Sequence, residues 1–408
     1  MQMQDFTYDP FSIEAMTNPQ PLYRQLRARF PVYPLPQYDG YAVSRFQDVW
    51  DTFLDREHFS EAEGQVFDPQ AVKKQWNGPP PANSIDPVGP FLFLEAPHHM
   101  QMRRAVHGPL LQAPVLRMES FIRDMTRRKL DELCEIGRFD VNSEYASQIS
   151  SGAICHISGI PAENVPQVVN LVNKAMMREP GRPGVTAKGV ESMVELRNMM
   201  IDIVRMRRDG KMSQPCQMID SMFGSSALDH PLTDAEIADQ VLSLVVGGTE
   251  SLPKVISGGL LELWQRPDQR AAVVADPAGR SGSAVEEMIR FCAPAQWFGR
   301  TLKSDFTVAG QPMRAGQRVF VIVAAANRDQ REFEAPDEFR WDRQMKRVVA
   351  FGIGPHFCIG IHLARLEARI MVEELLKRVP DYELDLDTAE KSISEFQIGW
   401  TKLPLIVS

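Results

Sequence analysis

One long amphipathic stretch, from "TDAE" to "WQRPD", constrains this chain more than any other feature. Thr233 as N-cap with Glu236 three positions on reads as a capping box, each side chain serving the other's backbone N–H. Apolar residues then recur at Ile237, Val241, Leu244 and Val245, and again at Leu252, Val255, Ile256, Leu260 and Leu263, the spacing of one helical face. About 34 residues at 1.5 Å each make a helix of roughly 51 Å, enough to cross the whole molecule. Its middle, "VVGGTESLPK" (Val245 to Lys254), nevertheless holds two adjacent glycines and a proline. Each glycine costs a helix interior about 1 kcal/mol relative to alanine and proline about 3, so roughly 5 kcal/mol opposes the helix at its centre. The sequence predicts an interruption there, and a function to justify it.

The rest of the chain narrows the class. Its 44% hydrophobic and 24% charged residues suit a soluble globular protein. A net charge of -8 argues against a general affinity for nucleic acid or an anionic membrane. No apolar run approaches the roughly 18 residues of a membrane span, and "VFVIVAAA" (Val319 to Ala326) reads as a buried strand. The first residues, "MQMQDFTYDPFS", have neither the basic end nor the apolar core of a signal peptide. Cys134, Cys155, Cys216, Cys292 and Cys358 are scattered, which fits a reducing cytoplasm rather than a disulfide framework. With no internal repeat or low-complexity linker, residues 1–408 read as a single domain. The Pro-rich "NGPPPANSIDPVGP" (Asn77 to Pro90) reads as a long functional loop. Strand patterns occur around "FPVYPLPQYDGYAVS" and from Asp305 to Asp329, where Gly310 and Gly316 punctuate hairpins. Most of the remainder has helical periodicity, so the expected fold is mainly α with a minor β region.

A second stretch carries chemistry. "VVAFGIGPHFCIGIHLARLEARIM" passes from an apolar run through a glycine-rich loop into a helix. Cys358 lies where the helix begins, and the partial positive charge of a helix N-terminus favours a thiolate. Gly352 and Gly354 allow backbone angles closed to other residues, and Gly360 leaves room for a large flat group. Such a thiolate suits a nucleophile or a metal ligand. No catalytic histidine motif and no second cysteine at zinc spacing accompany it, so an axial ligand to haem iron fits best.

Phe351, Gly354, Cys358 and Gly360 match F-x-x-G-x-x-x-C-x-G, and here the chain resembles the cytochrome P450 family of haem-thiolate monooxygenases, soluble bacterial type. The resemblance implies the family's fold, with the long helix lying over haem b and Cys358 as the iron ligand. It implies that Phe351, Gly352 and Gly360 border the cofactor and that His356 contacts a propionate. "EAPHHMQMRRAV" is similar to the family's H-x-x-x-R helix, which makes His99 and Arg103 propionate partners and turns His98 elsewhere. Arg300 of "FGRTLKSD" falls where the family has another such partner. "EEMIR" supplies Glu287 and Arg290, and "APDEFRWDR" supplies Arg343, as the structural E-x-x-R…R triad beneath the cofactor.

The resemblance also explains the expected interruption. The family's oxygen-binding segment, [AG]-G-x-[DE]-[TS], reads here as Gly247, Gly248, Thr249, Glu250 and Ser251. The glycines would let the helix approach the iron. Ser251 would bond back to the carbonyl of Gly247 and Pro253 would leave that of Thr249 without a donor, opening the helix locally. Glu250 would relay protons from solvent, and Ser251 would donate a hydrogen bond at the oxygen site, with Thr249 as the alternative hydroxyl. Serine replaces the more usual threonine, and its freer rotor predicts looser control and some uncoupling.

Substrate contacts would come from Phe91, Phe93, Ser243, Val246, Trp297, Phe298 and Phe396, with Gln296 as a polar anchor, and the implied substrate is a hydrophobic small molecule. The function implied is insertion of one oxygen atom of O2 (hydroxylation or dealkylation) by a cytoplasmic monomer. Electrons would pass from NAD(P)H through a reductase and an iron–sulfur ferredoxin, docked on Arg103, Arg104, Lys346, Arg347 and Arg365. No nucleic acid and no membrane is expected as a partner. The alternatives are a peroxide-using or rearranging haem-thiolate enzyme, and a haem sensor or ligand-binding protein without turnover.

Overall fold

The capping box read from "TDAE" forms as expected. In the computed structural model Glu236 N donates to Thr233 Oγ1 at 3.2 Å, and Thr233 N donates to Glu236 Oε2 at 2.7 Å. The structure describes residues 6–64, 66, 91–179, 184–212 and 216–407. The loop Asn77 to Pro90 lies outside them. Eight helices frame the interior: α1 (His98–Val106), α2 (Glu119–Ile136), α3 (Ser147–Ile157), α4 (Val165–Met176), α5 (Ala187–Arg208), α6 (Asp234–Trp264), α7 (Pro277–Phe291) and α8 (Ile361–Arg378). None is long and apolar enough to cross a membrane.

The expected interruption of the long helix does not occur. Helix α6 is 31 residues long and runs through Gly247, Gly248 and Pro253 without a break. Tertiary packing outweighs the local propensities: α3, α4, α5, α7 and α8 all pack against it, and Ile237, Val241, Val245, Ile256, Leu260 and Leu263 are fully buried. Gly248 serves that packing directly. A Cβ there would sit 3.1 Å from the Ile154 side chain on α3, so the two helices approach as closely as they do because the side chain is missing.

The first strand region forms where expected; in the second, the strand expected over Val319 to Ala326 stops at Val321, and Val323–Ala326 coil into a short helix instead. Strands β1 (Val32–Leu35), β2 (Gly40–Val43), β3 (Phe59–Ser60), β4 (Phe298–Leu302) and β5 (Arg318–Val321) make a sheet in the order β1-β2-β5-β4-β3. Only the β2–β5 pair is parallel, with Gly40 opposite Arg318. The residues Phe306–Val308 and Gln311–Met313 form a separate hairpin, with Gly310 at φ 84° in its turn. A three-stranded sheet of Arg138–Asp140, Pro404–Ile406 and Glu383–Leu384 brings the end of the chain beside α6. The irregular turn before it, 392–399, therefore lies against the middle of that helix.

Helix α8 buries one carboxyl with no ion pair among the described residues. Burial pushes Glu367 well above the ordinary carboxylate range, and its Oε1 has no hydrogen-bond partner. A carboxyl kept protonated by the fold contributes fully below its ordinary pKa of 4.5. As pH rises the unfolded chain ionises while the folded one does not, which removes about 1.4 kcal/mol per pH unit. The Glu367→Met variant, of similar length and without a titrating group, should gain stability over the parent as pH rises from about 5 to 8. Urea unfolding at several pH values checks this; a stability difference that is flat with pH would refute it.

Candidate active site

The loop before α8 is tied by its own backbone. Cys358 N donates to the Phe351 carbonyl at 2.9 Å, and Phe357 N to that of Gly354 at 3.1 Å. Gly352 and Gly354 have φ of 65° and 80°, and a Cβ on Gly354 would lie 2.8 Å from the Phe53 carbonyl oxygen. These two positions therefore require glycine. Burial pushes the Cys358 thiol above its ordinary range, against the opposing pull of the Gly360 N–H, Arg103 and Arg365. The Gly360 N–H at the helix start favours the thiolate while burial opposes it, and a bound metal ion would deprotonate the thiol outright. Cys358 keeps some accessible surface.

Cation-capable side chains from three elements gather beside this loop. Arg103 Nη2 on α1 donates to the Phe357 carbonyl at 2.6 Å. One turn earlier His99, 1% exposed, stacks on His356 with ring centroids 3.9 Å apart. Neither ring nitrogen of His99 has a hydrogen-bond partner. Arg300, on β4 and 3% exposed, lies 3.1 Å from Glu61 Oε1, and His356 Nε2 is 3.8 Å from Glu61 Oε2. Burial, reinforced by Arg103 and Arg56, depresses His99 to about 4. Burial, with His99, Arg300 and Arg103, depresses His356 to about 3. Burial also lowers Arg300, which Glu61 partly offsets. Arg300 and His356 thus share one carboxylate, with His99 stacked on His356 and Arg103 beside them on the loop. A buried cluster of this kind lacks anions, and a ligand bearing carboxylates would supply them. His98 turns away to Asp229 at 2.8 Å.

On α6, Gly247 is exposed although Leu244, Val245, Thr249 and Glu250 around it are buried. A Cβ at Gly247 would meet nothing within 4 Å, and neither would one at Gly360. Open space at mid-helix, and at the start of α8, leaves room for the flat macrocycle of a haem, and the unbonded ring nitrogens of His99, beside Arg103 and Arg300, suit its propionates. The residues present therefore fit the group that the sequence implies.

The acid of this segment is placed differently from expectation. Glu250 is 7% exposed and Lys254, 3% exposed, donates from Nζ to its Oε1, an ion pair one turn apart on α6. The carboxylate is thus held by a buried lysine and keeps only a small exposed edge. Ser251 makes no bond to the Gly247 carbonyl; its Oγ accepts from Gln397 Nε2 at 3.3 Å. Thr249 is buried and accepts from Ser151 of α3 at 3.1 Å, turned into the helix packing.

The three residues of the E-x-x-R…R pattern come together. Arg290 donates to both oxygens of the fully buried Glu287 at 2.7 Å, and Arg343 Nε lies 3.0 Å from Oε1. The spare guanidinium N–H groups reach the carbonyls of Asn327, Pro336, Glu338, Glu334 and Ala335.

Among the residues expected to line a pocket, Ser243, Val246, Phe298 and Phe396 are half-buried, the last two edge to face with centroids 5.7 Å apart. Phe91 is buried beside His99, and Phe93 is 41% exposed. Two expectations are corrected. Gln296 spends its side chain on Tyr23 and on the Ser394 carbonyl at 2.7 Å, so it is no free polar anchor. Trp297 is wholly buried against Phe11 and Phe320, in the core beneath the sheet. Of the basic residues near the cysteine side, Arg104 and Lys346 are exposed, Arg365 pairs with Glu286 and Arg347 with Glu332, and Arg103 turns inward.

Sequence reasoning missed Glu61, Lys254 and Gln397. The spacing of Glu250 and Lys254, four apart on a helix, was a readable signal. Glu61 reaches Arg300 because β3 pairs with β4, and Gln397 reaches Ser251 through a turn far along the chain; neither leaves a trace in local sequence.

The cytochrome P450 family model matches residues 282–407, the part that holds Glu287, Arg290, Arg300, Arg343 and the Cys358 loop. Cytochrome P450 130 of Mycobacterium tuberculosis is 28% identical over 395 residues, covering 95% of this chain and 92% of the relative. The steroid C26-monooxygenase of Mycolicibacterium smegmatis is 28% identical over 367 residues, 89% of this chain and 86% of the relative. Among solved structures, cytochrome P450 CYP109Q5 from Chondromyces apiculatus superposes with a TM-score of 0.81 at 26% identity, covering 98% of both chains.

Glu287→Gln leaves the buried Arg290 and Arg343 without their counter-charge, a loss of about 3–5 kcal/mol for a broken buried pair. Guanidinium unfolding should register a loss of that size. A change under about 1 kcal/mol would mean that the carbonyls alone satisfy both guanidinium groups.

Proposed function

The chain belongs to the cytochrome P450 family, and on that premise we propose that its monooxygenase site acts on a hydrophobic small molecule with electrons from an iron–sulfur ferredoxin. Haem b with a cysteine thiolate ligand is the family's cofactor, and Cys358 is the residue that would hold its iron. The observation that carries this assignment is the gathering of His99, Arg103, Arg300 and His356 beside the cysteine loop, with neither ring nitrogen of His99 bonded and Arg103 bonded to the loop itself. These four would hold the propionates.

When bound, the haem supplies reductive O2 activation, driven by electron donation from the thiolate. The remaining work falls to the chain. Gly247 keeps α6 clear of the reacting atoms, and a larger residue there would fill the space that a small ligand needs. Ser251 rather than Thr249 supplies the hydroxyl, because Thr249 is buried in the packing against Ser151 of α3 while Ser251 is only half-buried. Glu250 holds and passes a proton, with Lys254 keeping its carboxylate in place. Phe91, Ser243, Val246, Phe298 and Phe396 would exclude water and orient the substrate, whose polar groups must be few. The steroid named for one relative belongs to that chemical class, as do terpenoids and polyketides. Arg104 and Lys346 are the exposed cations that an acidic ferredoxin would meet.

Optical titration of the haem-loaded protein tests this reading. Steroids, terpenoids and polyketide-like compounds that displace water from ferric haem should shift the main absorption band to the blue, and Cys358→Ser should lose the thiolate-type spectrum. A parent protein that takes up no haem after reconstitution would overturn the proposal. With a substrate in hand, Glu250→Gln should lower turnover about 100-fold, the loss expected for a proton-transfer group, and leave the titration midpoint unchanged. A turnover equal to the parent's would remove Glu250 from the proton path.

A further inference from the structure

We infer that Gln397 is a positioning residue that sets the rotamer of Ser251 and frees its hydroxyl proton for the oxygen site, so that the pair Ser251–Gln397 does what a threonine would do alone. The inference rests on the monooxygenase reading of Ser251 given above, and it starts from a conflict. Serine has no β-branch, so χ1 is not stiffened as it is in threonine. In a helix it usually anchors itself by bonding the carbonyl four residues back, and Ser251 does not bond that of Gly247. An unanchored hydroxyl would divide its time among staggered wells. Among the described residues, the one hydrogen bond that its oxygen makes is the 3.3 Å bond donated by Gln397 Nε2. A serine hydroxyl has one donor and two acceptor sites. An acceptor bond from the amide therefore fixes the oxygen and leaves the O–H pointing elsewhere.

The turn that carries Gln397 is built to hold still. Ser392 N donates to the Gly399 carbonyl at 2.8 Å, and Ser392 Oγ to the Gln397 carbonyl at 2.8 Å. The backbone N–H groups of Phe396 and Gln397 both reach Ser394 Oγ at 3.1 Å. From outside the turn, Gln296 N bonds the Phe396 carbonyl at 2.7 Å and Ile398 N bonds that of Pro294 at 2.8 Å. Arg178, which follows α4, closes a buried ion pair with Glu395 at 2.9 Å. At the far end, Gly399 has φ 145°, and a Cβ there would lie 2.7 Å from Lys254 Cβ. The turn thus lies against the one stretch of α6 that contains Glu250, Ser251 and Lys254. Gln397 itself is 8% exposed, and its Oε1 has no partner. A buried amide that leaves an acceptor unsatisfied costs stability, so packing alone does not account for a glutamine here.

The test uses the haem-loaded protein with carbon monoxide as the probe, read by infrared spectroscopy of the ferrous carbonyl complex. A hydroxyl directed at the ligand lowers the C–O stretch. The parent should show one hydrogen-bonded band, and Ser251→Ala should move it to higher frequency. Gln397→Met keeps the length and removes the amide, and should split the band, the hydrogen-bonded component falling to about one third as the hydroxyl samples three wells. Gln397→Leu should behave likewise, which guards against a local defect peculiar to methionine. Adding Ser251→Thr to Gln397→Met should restore the single band, because threonine needs no clamp, and should return the peroxide formed per NAD(P)H from its raised value to that of the parent. A Gln397→Met spectrum identical to the parent's overturns the inference, as does a parent band unmoved by Ser251→Ala. A parent that forms no thiolate-type carbonyl complex fails at the earlier step, and the monooxygenase reading falls with it.

Discussion

A helix of 31 residues with two glycines and a proline at its centre persists because neighbouring helices close round it. The cost of those residues is a few kcal/mol, while each of the large apolar side chains that α6 buries returns about 1.5–3. Burial wins, and the helix stays whole. The same residues then acquire a different use. Gly248 brings Ile154 of α3 close, whereas Gly247, one position away, opens on empty space. One glycine makes a contact and its neighbour makes a cavity. The site depends on that difference of about 100° around a single helix.

Charge is handled in two opposite ways inside this fold. At Glu287 the hydrogen bonding is complete: one carboxylate accepts from two arginines, and five carbonyls accept from their other N–H groups. Nothing further can bind there, which suits a structural joint. Around Glu61 the hydrogen bonding is open, since Arg300 and His356 share one carboxylate and neither ring nitrogen of the adjacent His99 is bonded. Burial depresses the pKa of both histidines, and the neighbouring positive groups add to that, because protonating either would bring further charge into the cluster. Incoming carboxylates offset that charge. A closed centre and an open one, both buried, mark framework and binding site respectively.

The cysteine loop, the mainly helical fold with its two strand regions, and the residues that meet at Glu287 were all legible, since each is either a local pattern or a spaced motif. Helix α6 was legible in its ends but not in its continuity. Propensity argued for a break at Gly247 to Pro253, and only packing on several sides could overrule it. Trp297 and Gln296 looked like pocket residues because aromatic and polar side chains near a site do. The strand that follows them turns Trp297 into the core against Phe320, and Gln296 ties down the turn at Ser394.

What the sequence determined by itself is the set of chemical groups and their local order: a cysteine at a helix start, an acid and an alcohol adjacent on a long helix, histidine and arginine one turn apart. Each is a relation between near neighbours, governed by helix periodicity and by the freedom of glycine. What only tertiary structure decided is which partner each group meets. Lys254 holds Glu250, Glu61 faces Arg300, and Gln397 reaches Ser251 from 146 residues away. A hydrogen bond needs two atoms within about 3 Å, and folding brings distant segments that close through strand pairing and packing that no local pattern encodes.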